Sequence, residues 1–523
     1  MNRAAEAATP GDPGASSHWA IASPHALSTE AGIEAFNEGG NALDAALAAA
    51  ASLTVTLPDN CALGGDLIAL VRQPSGEILA VNASGTAARD VDVDRLRREH
   101  GHEMPRFGPE AVTVPGVLAG WEALWSIGAR RSWASLFEAA IEQARAGVPT
   151  ARSTASELAR VADRASRDAG MRDVFFPAGT PLGYGERLHQ PQLASTLQTL
   201  ATEGAREFYD GQIGSSWLES IRGVGSSLRA EDLSSYGAEV TEPLRASHDR
   251  EEIVTAPPNS QGALLLMTLR MVSGDPLLDP LSTSASELAR IFAQVAEART
   301  RYLADPRFAP VPVDDLVSAR VPTPAAPSGQ VHGSGDTVAV VAADDEGRAV
   351  SLIQSVFDSF GAGILDPRTG IIAHNRGAFF SLDPASPNVL APGKRPAHTL
   401  TPVMCMVDGS LWLVLGTMGG LAQTQILTHV LLHLRRGLRP AEALTAPRWT
   451  VGGIEAGGSQ AQVQAEGRVP PHVLGGLEAE GWQIVRLPDF AFVAGQAQAI
   501  VRGSDGRYSA ASDPRSEGLA IVG

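Results

Sequence analysis

Strand-like runs occupy both ends of this 523-residue chain, and helical pattern fills its middle. Strand signals at Trp19–Ser23, Ala62–Val71 and Glu77–Gly85 precede residues 110–305, which read as mostly helical. They return at Val338–Ala343, Ala349–Ser355, Met404–Val407, Leu411–Leu415 and Gln498–Val501. This order lacks the regular βαβ alternation of a doubly wound sheet. It predicts a layered α+β unit in which both ends of the chain feed shared sheets. Apolar residues make up 44% of the chain, enough to bury a substantial core.

The helical signals are specific in places. An Ala-rich pattern through Thr29–Asn37 and Asn41–Thr54 is broken into two helices by Gly39-Gly40. Residues Leu288–Pro306 form the clearest amphipathic helix. Ala62–Val71 begins as a Gly-rich turn and enters a strand whose hairpin partner is Glu77–Gly85.

Charge narrows the partners. A formal net charge of −17 argues against nucleic acid and anionic membranes, which require a basic face. No run of about 18 apolar residues predicts a membrane span. The two cysteines, Cys61 and Cys405, are too few for a disulfide framework. Residues 1–16 contain no apolar secretory core and read as a disordered leader, so the expected compartment is the cytoplasm.

The segment 309–336 is rich in Pro, Ala, Gly and Ser and is the strongest linker candidate. Its plain reading is an inter-domain loop. Yet it ends in His332-Gly333-Ser334-Gly335-Asp336-Thr337, with Thr337 at the first position of an apolar strand. A threonine hydroxyl is a poor nucleophile without a base beside it. Cutting Asp336–Thr337 would supply one, because a free α-amine with pKa about 7.7–8.0 accepts a proton near neutral pH. A flexible approach lets that bond distort for an N→O acyl shift, and the strand after it holds the hydroxyl still.

Other site types are missing. There is no HExxH, CxxC, GxSxG or Walker A sequence, and neither a metal nor a cofactor is expected. His429 and His433 stand four residues apart without a third ligand nearby in sequence, which favours an ordinary helix face over a metal site. Glycine pairs at Gly39-Gly40, Gly64-Gly65 and Gly419-Gly420 read as turns, although freed backbone amides can also form an oxyanion hole.

Ten collinear segments resemble the γ-glutamyltranspeptidase family of N-terminal-nucleophile hydrolases. They include ASPHALSTEAGIEAFNEGGNALDAALAAA, CALGGDLIALV, PPNSQGALLL, GDTVAVV, TGIIAHNRGAFFSL, APGKRPAHTLTPVM and GTMGGLAQTQ. The resemblance implies a four-layer αββα sandwich formed jointly by two autoprocessed subunits, residues 17–336 and 337–523, which remain together as a heterodimer. It implies Thr337 as nucleophile after cleavage at Asp336–Thr337, Ser355 as a hydroxyl bonded to it, and Gly419 and Gly420 as the oxyanion pair. For Ser355 the alternative is a strand serine facing solvent.

The pocket departs from the transpeptidases. Ser84 stands where the family places an arginine for the substrate α-carboxylate, and Phe357 where it places an asparagine. Arg376 and Phe379 replace the glutamine and aspartate that hold the α-ammonium, and His398 and Thr399 replace paired serines. An ammonium beside Arg376 and two phenylalanines would be repelled and poorly solvated. The nucleophilic machinery stays while the glutamyl clamp is lost, a pattern similar to the acylase-like and oxamate-amidohydrolase-like branch. The expected substrate is a small carboxylate-bearing amide or acyl compound, contacted by Ser84, Phe357, Asn375, Arg376, His398 and Thr399. Arg376 either binds the substrate carboxylate or pairs structurally with a carboxylate such as Asp383. Alternatives are a natural-product tailoring hydrolase, including one that cleaves a C–C bond beside a carbonyl; a residual γ-glutamyl hydrolase or transferase; and an inactive proenzyme that serves as a binding protein.

Overall fold

The computed structural model describes residues 18–275, 277–322, 330–331, 336–452, 458–459 and 461–523. Two antiparallel sheets form its centre. The first runs, in spatial order, Leu519–Val522, Trp19–Ser23, Asp336–Asp344, Ala349–Phe357, Asp66–Arg72, Ile78–Ala83 and Glu239–Thr241. The second runs Tyr508–Ser512, Gln496–Arg502, Ser410–Met418, Val403–Val407, Glu251–Thr255 and Leu244–His248. Both ends of the described chain therefore lie in one sheet, as the order of signals predicts. Trp19–Ser23 separates the C-terminal strand from the strand that starts at Asp336.

Alternation along Asp336–Asp344 explains the layering, since successive side chains in a strand point to opposite faces. Val338, Val340 and Ala342 pack with the helices outside the first sheet. Val341 and Ala343 pack against Val254, Met404, Val414 and Ile500 of the second sheet. The strand is buried on both faces, which is why it is continuously apolar. Thr337 falls on the odd register and so faces the space between the sheets.

The outer layer over the first sheet is built on helix Ala42–Thr56, all fifteen residues of which are buried. A helix enclosed all round is apolar all round, and its run of alanines lets sheet and flanking helices approach closely. Asn41 caps it: its side chain accepts from the Leu43 and Asp44 amides, and Asp44 accepts from the Asn41 amide at 2.8 Å. Over the second sheet, helices Gly262–Met271, Ala285–Tyr302 and Gln423–Arg435 pack on Val403, Cys405, Leu413 and Leu415. The molecule is a four-layer αββα sandwich.

Three expectations change. The stretch read as mostly helical contains the strands Glu239–Thr241, Leu244–His248 and Glu251–Thr255. A small sheet of Trp449–Val451, Gln462–Glu466 and Gln483–Leu487 was not anticipated either. Within 309–336 the described part carries a short helix, Val313–Val317, and Gln330–Val331 pairs with Gly458–Ser459. The rest of that segment and the leader 1–16 lie outside the described residues. His429 and His433 are core residues: His429 packs between Phe292 and Trp449, with centroids 5.8 and 4.9 Å away. Among the described residues no third metal ligand joins them. No described helix is long and apolar enough to cross a membrane.

Candidate active site at the start of the central strand

Thr337 and Ser355 are cross-strand partners in the register Thr337↔Ser355↔Asp66, so all three side chains share the face toward the second sheet. The Thr337 hydroxyl donates to Ser355 Oγ at 3.1 Å, and Ser355 Oγ donates to the carbonyl oxygen of Asp336 at 2.6 Å. The Phe357 amide donates to Ser355 Oγ at 2.9 Å and fixes it. Ser355 is thus buried and bonded on three sides, which removes the solvent-facing alternative.

The ladder is irregular where it matters. Register shifts between Asp336 and Thr337, and Phe357, opposite Asp336, has φ of +80°. A bulky residue in the left-handed region is strained and needs its surroundings to hold it. Gly65 has no room for a side chain, because a Cβ there would lie 2.5 Å from the Ser355 carbonyl oxygen.

A second cluster adjoins this one through Phe357. Arg376 is 1% exposed and its guanidinium lies over the Phe357 ring, 3.9 Å from the centroid, with Phe379 at 5.6 Å. Nη2 donates to Thr399 Oγ1 at 3.1 Å. Nη1 has no hydrogen-bond partner among the described residues. Burial pulls the Arg376 pKa down to about 10, and Asp66 and Asp358 act against that. The pairing with Asp383 is not made: Asp383 stands 3.9 Å from His102.

Beneath Arg376 lies a network that the sequence did not suggest. Asp66 Oδ2 is 3.1 Å from His398 Nε2 and 3.5 Å from His374 Nδ1. His398 Nδ1 accepts from the Leu400 amide at 3.3 Å, which assigns its proton to Nε2 and makes it a donor to Asp66. Burial, aided by Arg376, lowers His398 to about 4 despite Asp66. Burial alone would raise Asp66, but His374, the His398 hydrogen bond and Arg376 together hold it below the usual carboxylate range. An acid at the first position of an otherwise apolar strand, directly after Gly64-Gly65, was the available signal.

The remaining expected residues divide. Gly419 and Gly420, with φ of +143° and +51°, form the turn into helix Gln423–Arg435. Gln261 joins this turn to the Arg376 cluster, since its Nε2 donates to Thr399 O at 2.9 Å and to Gly420 O at 3.2 Å. Ser84 Oγ instead donates to Asn82 Oδ1 at 2.7 Å. Asn375 is engaged with Asp358 and the Arg106 carbonyl, each at 2.8 Å. Both polar side chains hold loops in place and offer a substrate little.

Comparison with known proteins shows the family to which this sandwich belongs. The family model for γ-glutamyltranspeptidase matches residues 28–523. The chain belongs to the γ-glutamyltranspeptidase family. It is 33% identical to the oxamate amidohydrolase proenzyme of Klebsiella pneumoniae, across 97% of this chain and 98% of that protein. It is 31% identical to the acylase ACY 1 proenzyme of a Pseudomonas strain, across 98% and 94%. The crystal structure of cephalosporin acylase from Bacillus halodurans superposes with a TM-score of 0.87 at 28% identity, covering 100% of this chain and 99% of that one. This γ-glutamyltranspeptidase-family chain is a hydrolase of the N-terminal-nucleophile fold.

Proposed function

We propose that the chain is a proenzyme that cuts itself between Asp336 and Thr337 and then acts as an amidohydrolase on a small carboxylate-bearing substrate lacking an α-amine. The observation that carries the reading is the Thr337–Ser355–Asp336 arrangement, in which a hydroxyl bonded to Thr337 also donates to the carbonyl to be attacked. After the cut the Thr337 amine takes the hydroxyl proton as Oγ attacks an acyl carbon. The Gly419 and Gly420 amides are the candidate donors to the oxyanion.

Substrate choice rests on Arg376. Its unpartnered Nη1, its desolvation and its bond to Thr399 suit one carboxylate and repel an ammonium. Relatives named for oxamate hydrolysis and acylase activity accord with this class. Because each sheet combines strands from both sides of residue 336, the two products of the cut are expected to stay joined as a heterodimer.

The test has two parts. Amino-terminal sequencing of the smaller band should begin at Thr337, with Thr337→Ala remaining one uncut chain. On processed enzyme, kcat/KM for oxamate should exceed that for γ-glutamyl-p-nitroanilide by two decades or more, since an uncompensated buried ion costs roughly 3–5 kcal/mol. Efficient γ-glutamyl turnover would overturn the substrate assignment.

A further inference from the structure

The residue that supplies the scissile carbonyl carries a side chain that the reading above leaves unused. Asp336 is buried among three other carboxyl groups: Asp59 after helix Ala42–Thr56, Glu157 in helix Arg152–Arg160, and Asp358 after strand Ala349–Phe357. The cations facing this cluster are already engaged. Arg106 holds Asp358 through two bonds of 2.8 Å, Arg160 pairs with Glu157 at 2.5 Å, and Arg164 donates to the Ser359 carbonyl at 2.9 Å. Asp59 Oδ1 accepts from Thr154 Oγ1 at 2.5 Å. Among the described residues no guanidinium forms an ion pair with Asp336.

Ser359 Oγ stands between two of these acids. It lies 2.5 Å from Glu157 Oε2, it hydrogen-bonds Asp336 Oδ2, and Arg160 Nη2 donates to it at 3.3 Å. A serine hydroxyl has one hydrogen and two lone pairs. It cannot donate to both acids, so one of the two contacts is donated by a carboxyl group. Of the two acids, Glu157 is the one with an arginine, Arg160, bonded to it. The proton then belongs on Asp336, and Ser359 donates to Glu157 while accepting from Arg160 and Asp336. Burial first, then Glu157, Asp59 and Asp358, push the Asp336 pKa well above its ordinary value, with Ser359 opposing.

We propose that Asp336 enters self-cleavage as a neutral acid, held through Ser359 against Glu157, and that ionising it stalls the cut. Thr337 Oγ bonds to the Asp336 carbonyl carbon and the C–N bond breaks, with the hydroxyl proton passing to the departing nitrogen. Water then hydrolyses the resulting ester, leaving a new carboxyl end at Asp336 and a free amine at Thr337. In the first step negative charge collects on the carbonyl oxygen of the same residue that bears the side-chain acid. A neutral acid tolerates that charge and a carboxylate repels it. Glu157 and Ser359 are positioning residues, since they act through Asp336.

The inference rests on Thr337 being the nucleophile, and the test separates the two. Full-length chain from a short cell-free synthesis is shifted into buffers from about pH 5.5 to 9, and loss of the uncut band is followed on denaturing gels. D336N keeps the size of aspartate, and its amide can donate to Ser359, as the protonated acid does. The ratio of wild-type to D336N cleavage rates should fall about tenfold per pH unit above the titration of Asp336. In E157Q the fall should begin at lower pH, because a charge that raised Asp336 is gone. Parallel wild-type and D336N profiles, or a D336N chain that never cuts, would overturn the proposal while a new terminus at Thr337 leaves the nucleophile intact. Cleavage in T337A would overturn both.

Discussion

Arg376 brings a positive charge into a nearly dry position and leaves one end of its fork open. Arginine suits that role because its planar donors meet a carboxylate two at a time and its face stacks on Phe357. Arg376→Ala is expected to lower kcat/KM for a carboxylate substrate by two to three decades, and Arg376→Lys to recover only part of the loss, because an ammonium can neither stack nor fork. The same variants should change turnover of an uncharged acyl substrate far less, and a side-by-side kcat/KM comparison decides it. At this scale the sequence was legible for position, as for Thr337 at the opening of the apolar strand Asp336–Asp344. It was not legible for Ser84 and Asn375, whose side chains are claimed by Asn82 and Asp358 from elsewhere in the chain. Asp66 was overlooked because its histidine partners lie more than 300 positions away, and only folding brings them together.

Among elements, the most constrained is helix Ala42–Thr56, enclosed on every side. Ala46→Leu should destabilise the protein by about 1–3 kcal/mol or more through overpacking, seen as a lower urea midpoint with an unchanged slope. The same enclosure made this helix easy to read, since a long Ala-rich run after an Asn cap has few other fates. The two central strands were legible for a related reason: burial on both faces leaves an unbroken apolar run. Strands Leu244–His248 and Glu251–Thr255 were missed because the first lies at the sheet edge, with Arg245, Ser247 and Glu252 diluting the apolar pattern. Pairing with Val403–Val407 makes Glu251–Thr255 a strand, and that partner lies far along the chain.

For the molecule as a whole, buried histidines tie stability to pH. His433 has no hydrogen-bond partner at either ring nitrogen among the described residues, and burial lowers its pKa to about 4. Below an unfolded value of about 6.5 the unfolded chain takes up a proton that the folded one refuses, so this contribution is lost as pH falls from 6.5 toward 4. His433→Gln removes it. The variant's stability should gain on the wild type as pH is lowered through that window, by up to about 1.4 kcal/mol per pH unit, read as a widening Tm difference; equal Tm differences at pH 7 and pH 5 would refute the assignment.

The amides of His18 and Trp19 both donate to the carbonyl of Gly523, at 2.6 and 3.1 Å, so the two ends of the described chain meet at the margin of the first sheet. Order along the chain and order in space are therefore separable in this fold. A gene rearranged to start with Met followed by Thr337, to run to Gly523, to cross a short Gly/Ser bridge to His18 and to stop at Asp336 would trace the same sheets. Once the initiator methionine is trimmed, the threonine amine is already free. Such a permuted chain should turn over substrate as a single polypeptide, with no self-cleavage step. Substrate turnover by an intact single band, lost on Thr337→Ala, would show that the break at 336 serves only to expose an amine.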